Sequence, residues 1–202
     1  KMGFAAISIC DHDKVSGLTS AFKKAENTFL EIIPGIELSC EKNNSEVHIL
    51  GYFIDWQNKA FEATLKSLRV ARIKRAEKIL DKLKGYGIFL NIEELLNTSK
   101  SEAVGRLHIA TLLFEKGYVK TKEEAFKKFI GDKGPCYVSG FKLTPLEGIE
   151  LIKKYGGISV IAHPYLIEDE LYLEELVKLG IEGIEVFHSD HSYQRIRLYA
   201  NF

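Results

Sequence analysis

Apolar and polar positions alternate in two rhythms along this chain, one of strands and one of helices. Residues 4–9, FAAISI, form a nearly continuous apolar run of the kind a strand needs when both faces of its sheet are covered. The next segment, VSGLTSAFKKAE (15–26), spaces its apolar residues as an amphipathic helix. Strand patterns follow in FLEII and IELSCE, separated by Pro34-Gly35, which reads as a turn. The cluster KNNS (42–45) reads as a second turn, and EVHILGYF after it is rich in β-branched and aromatic residues. Residues 36–53 are therefore expected to form a hairpin that brings Glu37 and His48 close.

From residue 59 to 83 the period becomes helical, with Phe61, Leu65, Leu68, Ala76, Ile79, Leu80 and Leu83 forming a stripe that GYG (85–87) ends. Further helices are expected at about 105–117 and 121–131, the second opening with the capping box Thr121-x-x-Glu124. Gly134-Pro135 breaks this helical block. Strand and helix then alternate again. Thr144-Pro145-Leu146-Glu147 starts a helix that runs to Gly156-Gly157, and ISVIAHP is a buried strand. A helix near 169–179 leads to the strand GIEVF (183–187), and HSDHS opens a last helix. The expected class is α/β, in three parts: 1–55, a helical insertion at 56–143, and 144–202.

Length and composition narrow the class further. The 202 residues suffice for one sizeable core carrying an inserted subdomain, and the mix of apolar and charged residues is that of a folded protein. With 28 basic and 28 acidic residues the formal net charge is zero, which argues against tight non-specific binding to duplex nucleic acid but leaves room for a small phosphorylated substrate. Cys10, Cys40 and Cys136 are odd in number and share no metal or disulfide spacing, which suits a reducing, cytoplasmic setting. No run is long and apolar enough for a membrane span.

The candidate chemistry lies where the strands end. Asp11, His12 and Asp13 follow the first apolar run, His163 follows ISVIA, and His188 follows GIEVF, the ends that carry active sites in β/α barrels. Any one of these histidines could be a core imidazole satisfied by hydrogen bonds. As a set of imidazoles and carboxylates they suit zinc, manganese or iron, and a bridging carboxylate such as Glu37 could hold two ions.

Six segments in order, DHDKVSGL (11–18), IIPGIELS (32–39), EVHILGYFID (46–55), GRLHIATLLFEKGYV (105–119), GGISVIAHP (156–164) and GIEVFHSDHS (183–192), make the chain resemble the PHP (polymerase and histidinol phosphatase) superfamily of metal-dependent phosphoesterases. GRLHIA within a helical insertion resembles the subgroup that dephosphorylates nucleoside 3′,5′-bisphosphates and trims short RNA from its 5′ end. The resemblance implies a distorted, TIM-like β/α barrel of seven strands, with the insertion as a cap. It makes His12, Glu37, His48 and His163 metal ligands, Glu37 the bridging one, for two or three divalent ions. Asp11 would orient the cluster or assist proton transfer. The family's opening His-x-His and closing Asp-x-His do not occur between Lys1 and Phe202. The expectation is that terminal segments are missing, with a degenerate, metal-free binding module as the rival.

Around this set, Arg106 and His108 are expected to bind substrate phosphate, Arg suiting bidentate contact. Arg69, Arg72 and Arg75 recur along the long helix, Arg72 being the candidate for a second phosphate and a solvated charged face the alternative for the stripe. His188 is expected to contact substrate and His191 to do acid–base work, a structural role being open for both. Asp13 is expected to cap the following turn. The expected function is hydrolysis, by metal-activated water, of phosphate esters of nucleotides or short 5′-phosphorylated oligonucleotides. A small phosphomonoester such as histidinol phosphate is the alternative substrate.

Overall fold

A computed structural model describes residues 3–42, 45–99, 104–139, 142–167 and 170–202. Two compact units emerge, one containing residues up to Lys42 with Glu46–Leu65 and Leu143–Phe202, the other chiefly Lys66–Lys142.

The first unit is built on a sheet whose strands follow the order β1 (Ala6–Ile9), β2 (Glu31–Lys42), β3 (Ser45–Tyr52), β4 (Ile158–Ile161) and β5 (Gly183–Ile184). β1 and β2 are parallel, Ile9 opposite Pro34, and α1 (Ser16–Ala25) makes the crossover between them. β4 and β5 are likewise parallel, joined through α7 (Glu170–Lys178), whereas β3 and β4 run antiparallel. Leu18, Ile36, Leu38, Ile49, Ile152 and Ile161 are buried here, each such side chain contributing roughly 1.5–3 kcal/mol by leaving water. The first two turns of α2 (Lys59–Lys84) also belong to this unit, as do α6 (Pro145–Lys154) and α8 (Tyr193–Ala200). α6 starts at the expected capping box: Thr144 Oγ1 accepts the Glu147 N–H at 3.3 Å, and Glu147 returns a carboxylate oxygen to the Thr144 N–H at 2.7 Å.

Pro34-Gly35 is not a turn. β2 runs through both residues from Glu31 to Lys42 without a break. The Pro34 carbonyl accepts the N–H of Phe53, so its backbone faces the end of β3, and the missing proline N–H interrupts no bond to β1. Gly35 serves close approach: a Cβ there would lie 2.6 Å from Cys10 Sγ and nearer still to Ser8 Oγ. The turn expected at 42–45 lies partly outside the described residues. The last strand is shorter than its apolar run, covering Gly183–Ile184, although the Glu185 N–H still reaches the Ile161 carbonyl at 2.9 Å.

The second unit is helical, with the rest of α2 followed by α3 (Ile92–Ser99), α4 (Arg106–Glu115) and α5 (Lys122–Ala125), which widens into a π-helical turn at Phe126–Ile130. Its core joins Ala76, Ile79, Leu80 and Leu83 of α2 to Leu95, Ile109, Leu113 and Ile130. The arginine stripe of α2 is no solvated face. Arg69, Arg72 and Arg75 are each at most 7 % exposed. Arg75 Nε donates to the Val138 carbonyl at 2.7 Å and Arg72 Nη1 to that of Val104 at 3.4 Å, so loop carbonyls draw these guanidiniums inward.

Candidate metal centre

Past Ile9 the pairing of β1 with β2 is renewed as a single parallel bridge between His12 and Glu37. The Glu37 N–H donates to the Asp11 carbonyl, and the Glu37 carbonyl accepts from Asp13. That bridge fixes His12 beside Glu37. His48 enters from β3, where its carbonyl accepts the Ala162 N–H, and His163 stands two residues beyond β4. The backbone at His163 is left-handed, with φ 30° and ψ 59°, an unusual state for a side chain with a Cβ. The Glu185 carboxylate accepts the His163 N–H at 2.6 Å and holds that turn.

The four side chains meet at the Glu37 carboxylate. Its Oε1 is 2.9 Å from His48 Nδ1 and 3.1 Å from His163 Nε2, while Oε2 faces His12 Nε2 at 3.5 Å. His48 Nδ1 and His163 Nε2 are 3.0 Å apart. Burial would raise the Glu37 carboxyl, but hydrogen bonds from His163 and His48 and the charge of His12 outweigh it and hold the group far below the carboxylate range. Burial disfavours a charged His48, yet hydrogen bonds to Glu37 and Glu46 prevail and raise its pKa. One donor atom each from His12, Glu37 and His48 lie within 4.8 Å of one another, the one such group found among the described residues. Imidazole nitrogens converging on both oxygens of one carboxylate fit divalent ions of borderline hardness, with Glu37 able to serve two of them.

The other expected site residues are placed as follows. The Asp11 carboxylate turns toward the first turn of α1, where a Cβ at Gly17 would lie 2.7 Å from its Oδ2, and a negative charge suits that helix end. Asp13 is buried with φ 49°, and its Oδ1 accepts the N–H of Ser39 at 3.2 Å, tying the turn to β2. His188 packs edge-on to His163, ring centroids 6.0 Å apart, and tilted against His191 at 5.3 Å. His191 is buried, with Nδ1 2.9 Å from the Val186 carbonyl. Arg72, Arg106 and His108 lie in the second unit. There Arg106 Nη1 donates to the Ile130 carbonyl and to Asp132, and His108 Nδ1 accepts the Gly105 N–H at 3.1 Å. Burial, reinforced by the Arg72 charge, lowers the pKa of His108.

Three side chains at the centre were missed in the sequence. Glu46 Oε1 is 3.3 Å from His48 Nε2, Glu185 holds His163, and Tyr165 packs on His188 at 5.5 Å while donating to Asp190. The alternation of β3 could have revealed Glu46, which shares a face with His48 two residues on.

No family model matches the chain. A 3′,5′-nucleoside bisphosphate phosphatase from Chromobacterium violaceum is 30 % identical over 202 residues, an alignment that takes in 97 % of this chain and 71 % of the phosphatase. The chain belongs to the PHP family of phosphoesterases. A second relative, a 5′-3′ exoribonuclease from Haemophilus influenzae, is 33 % identical over 80 % of the chain, which spans 59 % of that enzyme's length. An amidohydrolase from C. violaceum, solved with bound sulfate and no metal, superposes with a TM-score of 0.84 at 30 % identity, covering 98 % of this chain and 72 % of its own. Among the described residues of this PHP chain, no helix is long and apolar enough to cross a membrane.

Proposed function

We propose that the protein is a metal-dependent phosphoesterase that hydrolyses phosphate esters of nucleotides or short 5′-phosphorylated oligonucleotides. The observation that carries this reading is the convergence of His12, His48 and His163 on the two oxygens of Glu37. Two or three divalent ions, manganese, zinc or iron, are the cofactors that His12, Glu37, His48 and His163 would hold in a seven-stranded barrel of PHP type. When bound, such ions activate water for attack on phosphorus and neutralise charge on the phosphoryl oxygens.

The chain's own side chains then have defined tasks. Glu37 keeps its carboxylate ionised, so it offers an oxygen to each side of the centre. Asp11 steadies the segment that carries His12, its carboxylate lying against the first turn of α1. His188 binds substrate beside His163, and His191 takes part in proton transfer, its Nδ1 held by the Val186 carbonyl. Arg72, Arg106 and His108, on the helical insertion that serves as cap, bind phosphate. A guanidinium can form two parallel hydrogen bonds to phosphate oxygens. Support for the substrate class comes from the named relatives, a nucleoside bisphosphate phosphatase and a 5′-3′ exoribonuclease, and from the sulfate in the related structure, a tetrahedral oxyanion like phosphate.

The test is turnover by the full-length protein, with manganese, of a nucleoside 3′,5′-bisphosphate, of 5′-phosphorylated RNA and of histidinol phosphate. Release of phosphate or nucleotide from the first two is expected. Turnover of histidinol phosphate alone, or of none of the three, overturns the reading.

A further inference from the structure

His48 presents two different nitrogens to two carboxylates. Nδ1 points into the centre, 2.9 Å from Glu37 Oε1 and 3.0 Å from His163 Nε2, while Nε2 points away to Glu46 Oε1 at 3.3 Å. Glu46 and His48 are two residues apart on β3, so the pleat puts both on one face, and both side chains are less than a fifth exposed. His12 is treated differently: its Nε2 faces Glu37 Oε2, and its Nδ1 meets the neutral hydroxyl of Ser39 at 3.5 Å. The Glu37 oxygen shared by His48 and His163 is thus backed by a second carboxylate, whereas the His12 side is backed by a hydroxyl.

A metal at His48 Nδ1 requires the ring proton on Nε2, and a carboxylate accepting that N–H fixes the tautomer, locks the ring orientation and makes Nδ1 a stronger donor. We propose that Glu46 is a positioning residue that turns His48 Nδ1 into the centre and strengthens the ion subsite between His48 and His163 over the one beside His12. This rests on the metal-dependent reading above. Glu46 acts through His48 and does not touch substrate. Its loss therefore falls on metal affinity and, through metal occupancy, on kcat, with KM for substrate unchanged.

The experiment compares wild type, Glu46→Ala and Glu46→Gln in the full-length protein, titrating manganese into metal-free samples by calorimetry and measuring kcat and KM at limiting and saturating manganese. Glu46→Ala is expected to weaken one manganese step about 10- to 100-fold and leave any other step unchanged. Glu46→Gln, which keeps an acceptor oxygen, recovers most of that loss, and saturating manganese restores kcat in both. Manganese binding by Glu46→Ala as tight as wild type overturns the proposal, as does an equal loss in Glu46→Gln. Glu46→Met, similar in length but without an acceptor oxygen, replaces the alanine variant should that variant fail to fold. A wild type that binds no manganese overturns the metal-dependent reading itself, so the two failures are distinct.

Discussion

The Glu185 carboxylate accepts the backbone N–H of His163 at 2.6 Å, across the left-handed turn that ends at Pro164. A left-handed non-glycine residue costs of order 1–3 kcal/mol and persists only where its surroundings over-determine it. Glu185 supplies one such constraint with a charge-assisted hydrogen bond. Glu185→Ala is expected to lower metal affinity and kcat/KM about 10- to 100-fold by letting His163 relax away from Glu37, with Glu185→Gln intermediate. Manganese titration of both variants checks this, and an alanine variant with wild-type affinity would refute it.

Gly35 yields a stability prediction. Because a Cβ at Gly35 would fall 2.6 Å from Cys10 Sγ and 3.1 Å from the Ile9 carbonyl oxygen, Gly35→Ala must displace the Ser8 and Cys10 side chains and press on the end of β1. Overpacking of this kind costs about 1–3 kcal/mol. The same shift would disturb the His12–Glu37 bridge two residues along β2, so denaturant unfolding and metal binding should both weaken. If unfolding alone weakens, the strand register at Glu37 is independent of the contact at Gly35.

How the sequence signalled the centre follows from the same two strands. His12, Glu37, His48 and His163 each stand in or just after an apolar run, and strand pairing then brings them together, so local pattern carried that much. Pro34-Gly35 misled because the usual punctuation of a turn here serves a close strand approach, a fact that depends on β1 and is invisible within β2. The arginines of α2 misled for a similar reason. Their partners, the carbonyls of Val104 and Val138, are 32 and 63 residues away, and only tertiary packing makes a helical charge stripe a buried one. Asp13 too has a partner that no local pattern names, Ser39, 26 residues on.

The capping box at Thr144 and Glu147 gives a pH-dependent prediction. Thr144→Ala removes the acceptor for the Glu147 N–H and should cost about 1 kcal/mol at neutral pH. Backbone and side-chain hydrogen bonds from Thr144 lower the Glu147 pKa. A depressed carboxyl contributes stability above its unfolded value, about 4.3, and loses it as pH falls through the folded value. The gap between wild type and variant should therefore narrow below roughly pH 4. Urea unfolding across pH 3 to 7 measures it, and a gap that widens in acid would contradict the assignment.

Arg106 separates phosphate binding from structure. Its guanidinium donates to the Ile130 carbonyl and pairs with Asp132, so part of its role is to hold the segment after the π-helical turn. Arg106→Lys keeps the charge but loses the planar fork, and a lost charge-assisted hydrogen bond is worth about 1.5–3 kcal/mol, or roughly 10- to 100-fold in affinity. If Arg106 binds substrate phosphate, KM for a nucleoside bisphosphate should rise by about that factor while kcat changes little. Asp132→Asn provides the contrast, because it neutralises the structural partner and leaves the guanidinium in place. It should lower thermal stability more than it raises KM. Should Arg106→Lys lose stability with KM unchanged, Arg106 is a structural residue, and phosphate recognition falls to other side chains.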